Sequence, residues 1–229
     1  MNKKKLKVGI AGFGVVGNRR KHYIDLNPHM EVVAVCDQRF SENKTDDHGI
    51  LCYQEYRSLL EDNLDVIFVC MSNDMAAEVT IASLESGKHV FCEKPPARSL
   101  EEMNHVIKAE KENSQLKLMY GFNHRYHDSV KEALRILESG SLGKVINIKG
   151  VYGKAKLITF NQPDWRTKRE LSGGGVLLDQ GIHMVDLMLL FGKDFDSVHS
   201  FVSNNHWKYN VEDNAYAIMQ SKSGVVAML

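Results

Sequence analysis

The most restrictive feature of the chain is a glycine run, Gly12-Phe13-Gly14-Val15-Val16-Gly17, directly after a short β-rich segment at residues 7–11. Glycines at this spacing meet three needs. The first allows a tight turn, the second lets backbone approach a ligand closely, and the third lets a helix pack closely on a strand. Free N–H groups at the start of the following helix then face an anion, and a pyrophosphate suits them. Asp37 stands twenty residues after Gly17, at the end of a second apolar run at residues 32–36. A carboxylate there can accept both hydrogen bonds of an adenosine ribose diol. It repels a 2′-phosphate, which favours NAD, while the nearby Arg39 keeps NADP open.

The rest of the first half keeps the same rhythm. Residues 19–27 predict a helix ended by Pro28, and residues 58–63 a short helical turn. A strand at 66–70 precedes a helix at 76–86 that Gly87 can cap. A strand at 89–92 precedes a helix that opens on Ser99-Leu100-Glu101-Glu102, a capping-box pattern, and runs to residue 113; a strand follows at 116–120. Apolar strands alternating with helices predict a parallel sheet covered on both faces, a doubly wound Rossmann domain over residues 1–121. Beyond Gly121 the pattern changes. A helix at 129–139 and a turn at 140–143 lead to strand candidates at 145–152, 198–202, 215–220 and 225–229. Ser221-Lys222-Ser223-Gly224 reads as the hairpin turn between the last two. Residues 122–229 are therefore expected to form a second α/β domain with an open, mostly antiparallel sheet. With nothing after residues 225–229, that run is expected to be an exposed edge strand of an unfinished sheet, in a fragment or beside a covering partner.

Composition narrows the partners. Lys plus Arg number 29 and Asp plus Glu number 29, so no net field attracts nucleic acid or an anionic membrane. The basic start, Lys3-Lys4-Lys5, runs into an apolar stretch too short for a signal core or a membrane span. Cys36, Cys52, Cys70 and Cys92 form no CxxC pair, which leaves zinc and dithiol motifs without support and fits a reducing cytoplasm.

Two further features carry chemistry. The strand at 89–92 ends in Glu93-Lys94-Pro95-Pro96, where open α/β sheets place their ligands, and the prolines stiffen the turn that holds Lys94. Gly173-Gly174-Gly175 precedes an apolar helix in which Asp179, His183 and Asp186 fall at i, i+4 and i+7, one polar stripe. Buried carboxylates and imidazoles need partners, so the stripe faces an internal network or an active site. Zinc on Asp179 and His183 finds no obvious third ligand, although His124 and His127 are present in sequence, and no metal is expected.

Together, Gly12 to Gly17, Asp37, Glu93-Lys94-Pro95, Gly121-Phe122-Asn123-His124-Arg125-Tyr126 and the stretch from Gly173 to Asp186 resemble the glucose-fructose oxidoreductase / inositol dehydrogenase / MocA family. The tract from Trp165-Arg166 to His183 further resembles members tied to surface-polysaccharide and nucleotide-sugar pathways. The resemblance implies hydride transfer between nicotinamide and a secondary hydroxyl of a sugar, cyclitol or nucleotide-sugar. It implies catalytic roles for Lys94, Asp179 and His183, with His183 as base and Lys94 stabilising the alkoxide. Cofactor contacts are expected from Gly12, Phe13, Gly14, Val15, Val16, Gly17, Asp37, Gln38, Ser72, Asn73, Glu93 and Lys94. Substrate contacts are expected from Lys94, Asn123, Arg125, Tyr126, Trp165, Arg166, Asp179 and His183. The loop Met71-Ser72-Asn73 departs from the family's Thr-Pro-Asn, and Ala76 stands where a histidine is usual. Family members run longer, and a homo-oligomer through the second sheet is implied. Three other readings stay open: NAD-assisted elimination or epimerisation, a non-catalytic nicotinamide-binding regulator, and a truncated remnant.

Overall fold

The apolar runs of the first half all enter one seven-stranded sheet. The computed structural model describes residues 4–153 and 165–229, so Lys3 of the basic lead-in lies outside the described residues. The chain divides into two compact units, Met1–Gly121 and Phe122–Leu229. In the first, strands β1 (Leu6–Ala11), β2 (Met30–Cys36), β3 (Lys44–Thr45), β4 (Leu51–Tyr53), β5 (Val66–Val69), β6 (His89–Cys92) and β7 (Leu118–Tyr120) lie in the order β3-β4-β2-β1-β5-β6-β7. Every neighbouring pair is parallel except β3 with β4. The strand order reverses at β1, and ligands of such sheets bind beyond the carboxyl ends of the strands at that point.

Successive residues of β1 and β2 feed opposite layers. Val8, Ile10 and Val35 join Ile24 of helix α1 (Val15–Asp25) on one face. Ala11, Ala34 and Cys36 face α2 (Tyr56–Glu61), α3 (Asn73–Glu85) and α4 (Leu100–Glu112) through Leu59, Val79, Leu84 and Ala109. Burial pushes the Cys36 thiol up to about 11 and the Cys92 thiol up to about 12, so both behave as small apolar core residues.

Several helix starts differ from expectation. Helix α1 begins at Val15 rather than residue 19, because packing on β1 overrides the poor helix propensity of Gly17. Helix α3 begins at Asn73 rather than residue 76. The capping box is half realised: Ser99 Oγ accepts from the Glu102 N–H at 3.2 Å, but the Glu102 carboxylate accepts from the Arg98 N–H at 2.8 Å. Strands β3 and β4 carry no sequence signal of their own, being two and three residues long.

The second unit holds α5 (Asp128–Glu138), α6 (Arg169–Ser172), α7 (Ile182–Gly192) and a four-stranded sheet. Its strands are β8 (Asn147–Lys149), β9 (Ser197–Ser203), β10 (Asn214–Gln220) and β11 (Val226–Met228), in the order β8-β11-β10-β9. The expected hairpin forms, pairing Gln220 with Val226 and Ile218 with Met228. The expectation of an exposed edge at residues 225–229 is overturned. Strand β11 lies between β10 and β8 and pairs with β8 in parallel, so earlier chain covers the side that looked open in sequence. The predicted strand at 145–152 shortens to β8.

Met188 of α7 packs with Met219 and Ala227 on the inner face of the sheet. The outer face carries Phe201 opposite Tyr216, at 80% and 63% exposure. Arg169–Gly192 is long and apolar enough by composition to cross a membrane, yet α7 lies on this sheet. Met188→Ala removes the fully buried anchor of α7 and is expected to cost about 2–5 kcal/mol of stability, read as a lower urea midpoint. An unchanged midpoint would show that α7 does not depend on this contact.

Candidate active site

The glycine loop leaves the end of β1 with each glycine required for a different reason. Gly12 has φ +91°, and a Cβ there would lie 2.6 Å from the Cys70 carbonyl oxygen. A Cβ at Gly17 would lie 2.1 Å from the Gly12 carbonyl oxygen, so only glycine lets α1 sit this close to β1. A Cβ at Gly14 would meet no atom within 4 Å, so its α-carbon borders open space. That is the backbone approach a pyrophosphate needs at the second glycine. Phe13, Val15 and Val16 form the rest of the loop and the start of α1. These residues fit a dinucleotide.

Asp37 follows β2 directly, and Gln38 comes next. Arg39 grips the Asp37 carboxylate with Nε at 2.7 Å and a terminal nitrogen at 3.0 Å. Its terminal nitrogen also donates to the Phe13 carbonyl at 2.9 Å, tying the end of β2 to the glycine loop. Burial works to raise the Asp37 carboxyl, but the Arg39 hydrogen bonds outweigh it and hold it below the usual carboxylate range. Ser72 precedes α3, and the buried Asn73 is that helix's first residue.

The Lys94 turn follows β6 at the carboxyl edge of the same sheet, with a cis Lys94–Pro95 bond. Glu93 is held by Arg20 of α1 at 2.5 Å, and the Arg20 guanidinium stacks over Phe91, 4.8 Å from the ring centroid. A Cβ at Gly121 would lie 2.9 Å from Glu93 Oε2, so glycine after β7 leaves the room this carboxylate occupies. Sequence reading missed Arg20, since a lone arginine on a helix gives no signal.

The polar stripe of the second unit splits. Residues Leu177–Gly181 form a π-helical turn ahead of α7, which departs from the 3.6-residue period that placed Asp179, His183 and Asp186 on one face. Asp186 is buried and accepts two hydrogen bonds from Arg125 Nε, at 3.0 and 2.8 Å, and a third from its terminal nitrogen at 2.5 Å. These bonds also hold the Arg125 guanidinium above its ordinary value. Arg125, expected on substrate, also pairs with this helix, its side chain remaining 42% exposed.

His183 is buried with its ring stacked on His124, 4.1 Å between centroids and 15° between planes. Tyr152 lies alongside the pair, its ring centroid 5.9 Å from that of His124 and 6.5 Å from that of His183. Asp179 accepts from Gln180 at 2.6 Å and lies 4.0 Å from Arg166 Nε. The Arg166 guanidinium covers Trp165 at 4.4 Å. Asn123 and Tyr126 are exposed on the 3-10 turn Asn123–Tyr126.

Gly173 ends α6 in the left-handed conformation at φ 78°, and the two glycines after it make room for Glu212, also missed in sequence. The Gly175 N–H donates to the Glu212 carboxylate at 2.6 Å, and a Cβ at Gly175 would lie 2.0 Å from the Glu212 carbonyl oxygen. Arg169 completes the pairing at 3.3 Å.

The oxidoreductase family with an NAD-binding Rossmann fold matches residues 6–122, and the GFO/IDH/MocA C-terminal domain matches residues 130–229. The chain belongs to the Gfo/Idh/MocA family. Inositol 2-dehydrogenase of Salmonella typhimurium is 28% identical over 228 residues, covering 96% of this chain and 65% of that protein. D-glucoside 3-dehydrogenase of Escherichia coli is 30% identical, covering 100% of this chain and 70% of that one. The chain thus spans about two-thirds of the length of these family relatives. Among solved structures, the WlbA dehydrogenase of Bordetella pertussis, in complex with NADH and UDP-GlcNAcA, superposes with a TM-score of 0.89 at 21% identity over 98% of this chain and 70% of that one. At that identity the likeness is one of fold.

Two alanine substitutions separate the family's glycine roles. Gly14→Ala meets no protein atom and is expected to keep the thermal midpoint while weakening NADH binding at least about tenfold, since the Cβ takes up the space of close approach. Gly17→Ala is expected to lower both. NADH fluorescence titration beside thermal melts checks this, and wild-type affinity in Gly14→Ala would remove the loop from the cofactor site.

Proposed function

We propose that this protein is an NAD-dependent dehydrogenase that oxidises a secondary hydroxyl of a sugar, cyclitol or nucleotide-sugar, or reduces the matching ketone. The observation that carries the reading is the carboxyl edge of the first sheet. There the open α-carbon of Gly14, the Asp37 carboxylate and the Lys94 turn follow β1, β2 and β6 of one parallel sheet. Gly12 to Gly17 would hold the pyrophosphate and Asp37 the adenosine ribose, with Gln38, Ser72, Asn73 and Glu93 as further cofactor contacts. NADP is the lesser choice, because Arg39 is engaged by Asp37 and the Phe13 carbonyl.

When bound, NAD supplies the hydride acceptor. The chain's residues handle the proton. An imidazole titrates near neutral pH, which suits His183 to accept the hydroxyl proton. Lys94 donates to the reacting oxygen and stabilises its developing negative charge. Asp179 orients the site, and Asn123, Tyr126, Trp165 and Arg166 are substrate contacts. The names of the relatives support cyclitols and glucosides. A nucleotide-sugar substrate, and with it a place in surface-polysaccharide synthesis, is the narrower form of the same proposal; the UDP-GlcNAcA bound by the Bordetella dehydrogenase is in keeping with the former.

A second copy of the chain is the proposed partner for the outer sheet face at Phe201, Tyr216 and Ile218. A reducing cytoplasm is the proposed compartment, in keeping with four free cysteines.

Lys94→Ala and His183→Ala are each expected to lower turnover by at least about 100-fold. NADH affinity should persist in His183→Ala. Turnover within a few-fold of wild type in both variants would contradict the assignment.

A further inference from the structure

We propose that His124 is a positioning residue for His183, laid flat against it by the Arg125–Asp186 ion pair. The proposal rests on the reading of His183 as proton acceptor. An imidazole turns about a broad, roughly two-fold terminal torsion, so its own rotamer does not fix the plane of the ring. A base that must meet a hydroxyl within hydrogen-bond reach needs that plane fixed by its neighbours.

His124 supplies the constraint. Its ring lies 4.1 Å from that of His183 and nearly parallel to it, at 15°. Phe122 presents an edge at 6.4 Å and 86°, and Tyr152 stands 6.5 Å away, so His124 is the ring in flat contact. Its own place is set by the next residue. Arg125 and Asp186 form a forked pair, and Asp186 lies on α7 three residues after His183, with its side chain 8% exposed. A guanidinium fork fixes orientation as well as distance. The 3-10 turn that carries His124 is therefore clamped to the helix that carries His183. One link sets the turn and the other sets the ring. Neither residue needs to touch substrate for this to matter, because a misplaced base costs rate.

The test uses the whole protein with His124→Ala, His124→Leu and His124→Phe. Phe keeps a flat ring without the nitrogens, whereas Leu fills space without a plane. The Ala and Leu variants are expected to lose about 10–100-fold in kcat, with KM for NAD unchanged, and the Phe variant to stay within about threefold. A second readout is independent of turnover. In protein with isotope-labelled histidine, the His183 ring protons, assigned by their loss in His183→Asn, should be shifted upfield by the His124 ring. They should move downfield in the Ala and Leu variants and stay upfield in the Phe variant.

Three results would overturn the proposal: His183 resonances that do not move in His124→Ala, a Leu variant as active as the Phe variant, or a rise in substrate KM with kcat intact. If the wild-type protein oxidises no polyol while the resonances move as described, the dehydrogenase reading fails and the stack stands.

Discussion

Gly17 occupies a position where any Cβ would lie 2.1 Å from the Gly12 carbonyl oxygen, and this missing side chain seats α1 directly on the end of β1. Much of the first unit follows from that contact. Because α1 begins at Val15, Arg20 falls on its second turn and reaches Glu93 at the end of β6. Glu93 immediately precedes Lys94, so a glycine–glycine contact beside β1 bears on the turn that holds the lysine. The same loop offers the Phe13 carbonyl to Arg39, which is bound to Asp37 at the end of β2. Three strand ends are thus tied to one another through two arginines. The open α-carbon of Gly14 lies in the loop so fixed.

The second unit repeats the device in another form. Gly174 and Gly175 let backbone close on Glu212, whose carboxylate takes the Gly175 N–H and pairs with Arg169. That contact fixes the start of the π turn and then α7. Helix α7 in turn lays Met188 on the sheet and turns Asp186 to Arg125. A helix apolar nearly all round can carry buried charge only where each group is answered, and here the answers come from a neighbouring turn and from the loop that leads into the helix.

Local chemistry made most of the first unit legible. The glycine spacing, the β-branched runs and Asp37 depend on a few adjacent residues, and their period reports which layer each side chain enters. What stayed hidden depended on distant partners. Arg20 and Glu212 gain meaning only from Glu93 and Gly175, far away in sequence. Strand β11 looked like an edge because its parallel partner β8 precedes it by about eighty residues. The polar stripe at Asp179, His183 and Asp186 was visible, but a uniform helical period could not anticipate the π turn or assign Asp186 to Arg125. His124 stands inside a legible motif, yet its ring contact with His183 is a tertiary fact.

The central claim is that a nicotinamide held by the glycine loop is reduced at the expense of a carbinol. Incubating the protein with NAD and, separately, cyclitols, glucosides and nucleotide-sugars tests it most directly, with absorbance of reduced nicotinamide and the mass of the product read together. The account predicts that one class yields reduced nicotinamide and a ketone in equal amounts. Tight NADH binding with no reduction by any of these alcohols, and no oxidation by the corresponding ketones, would contradict it.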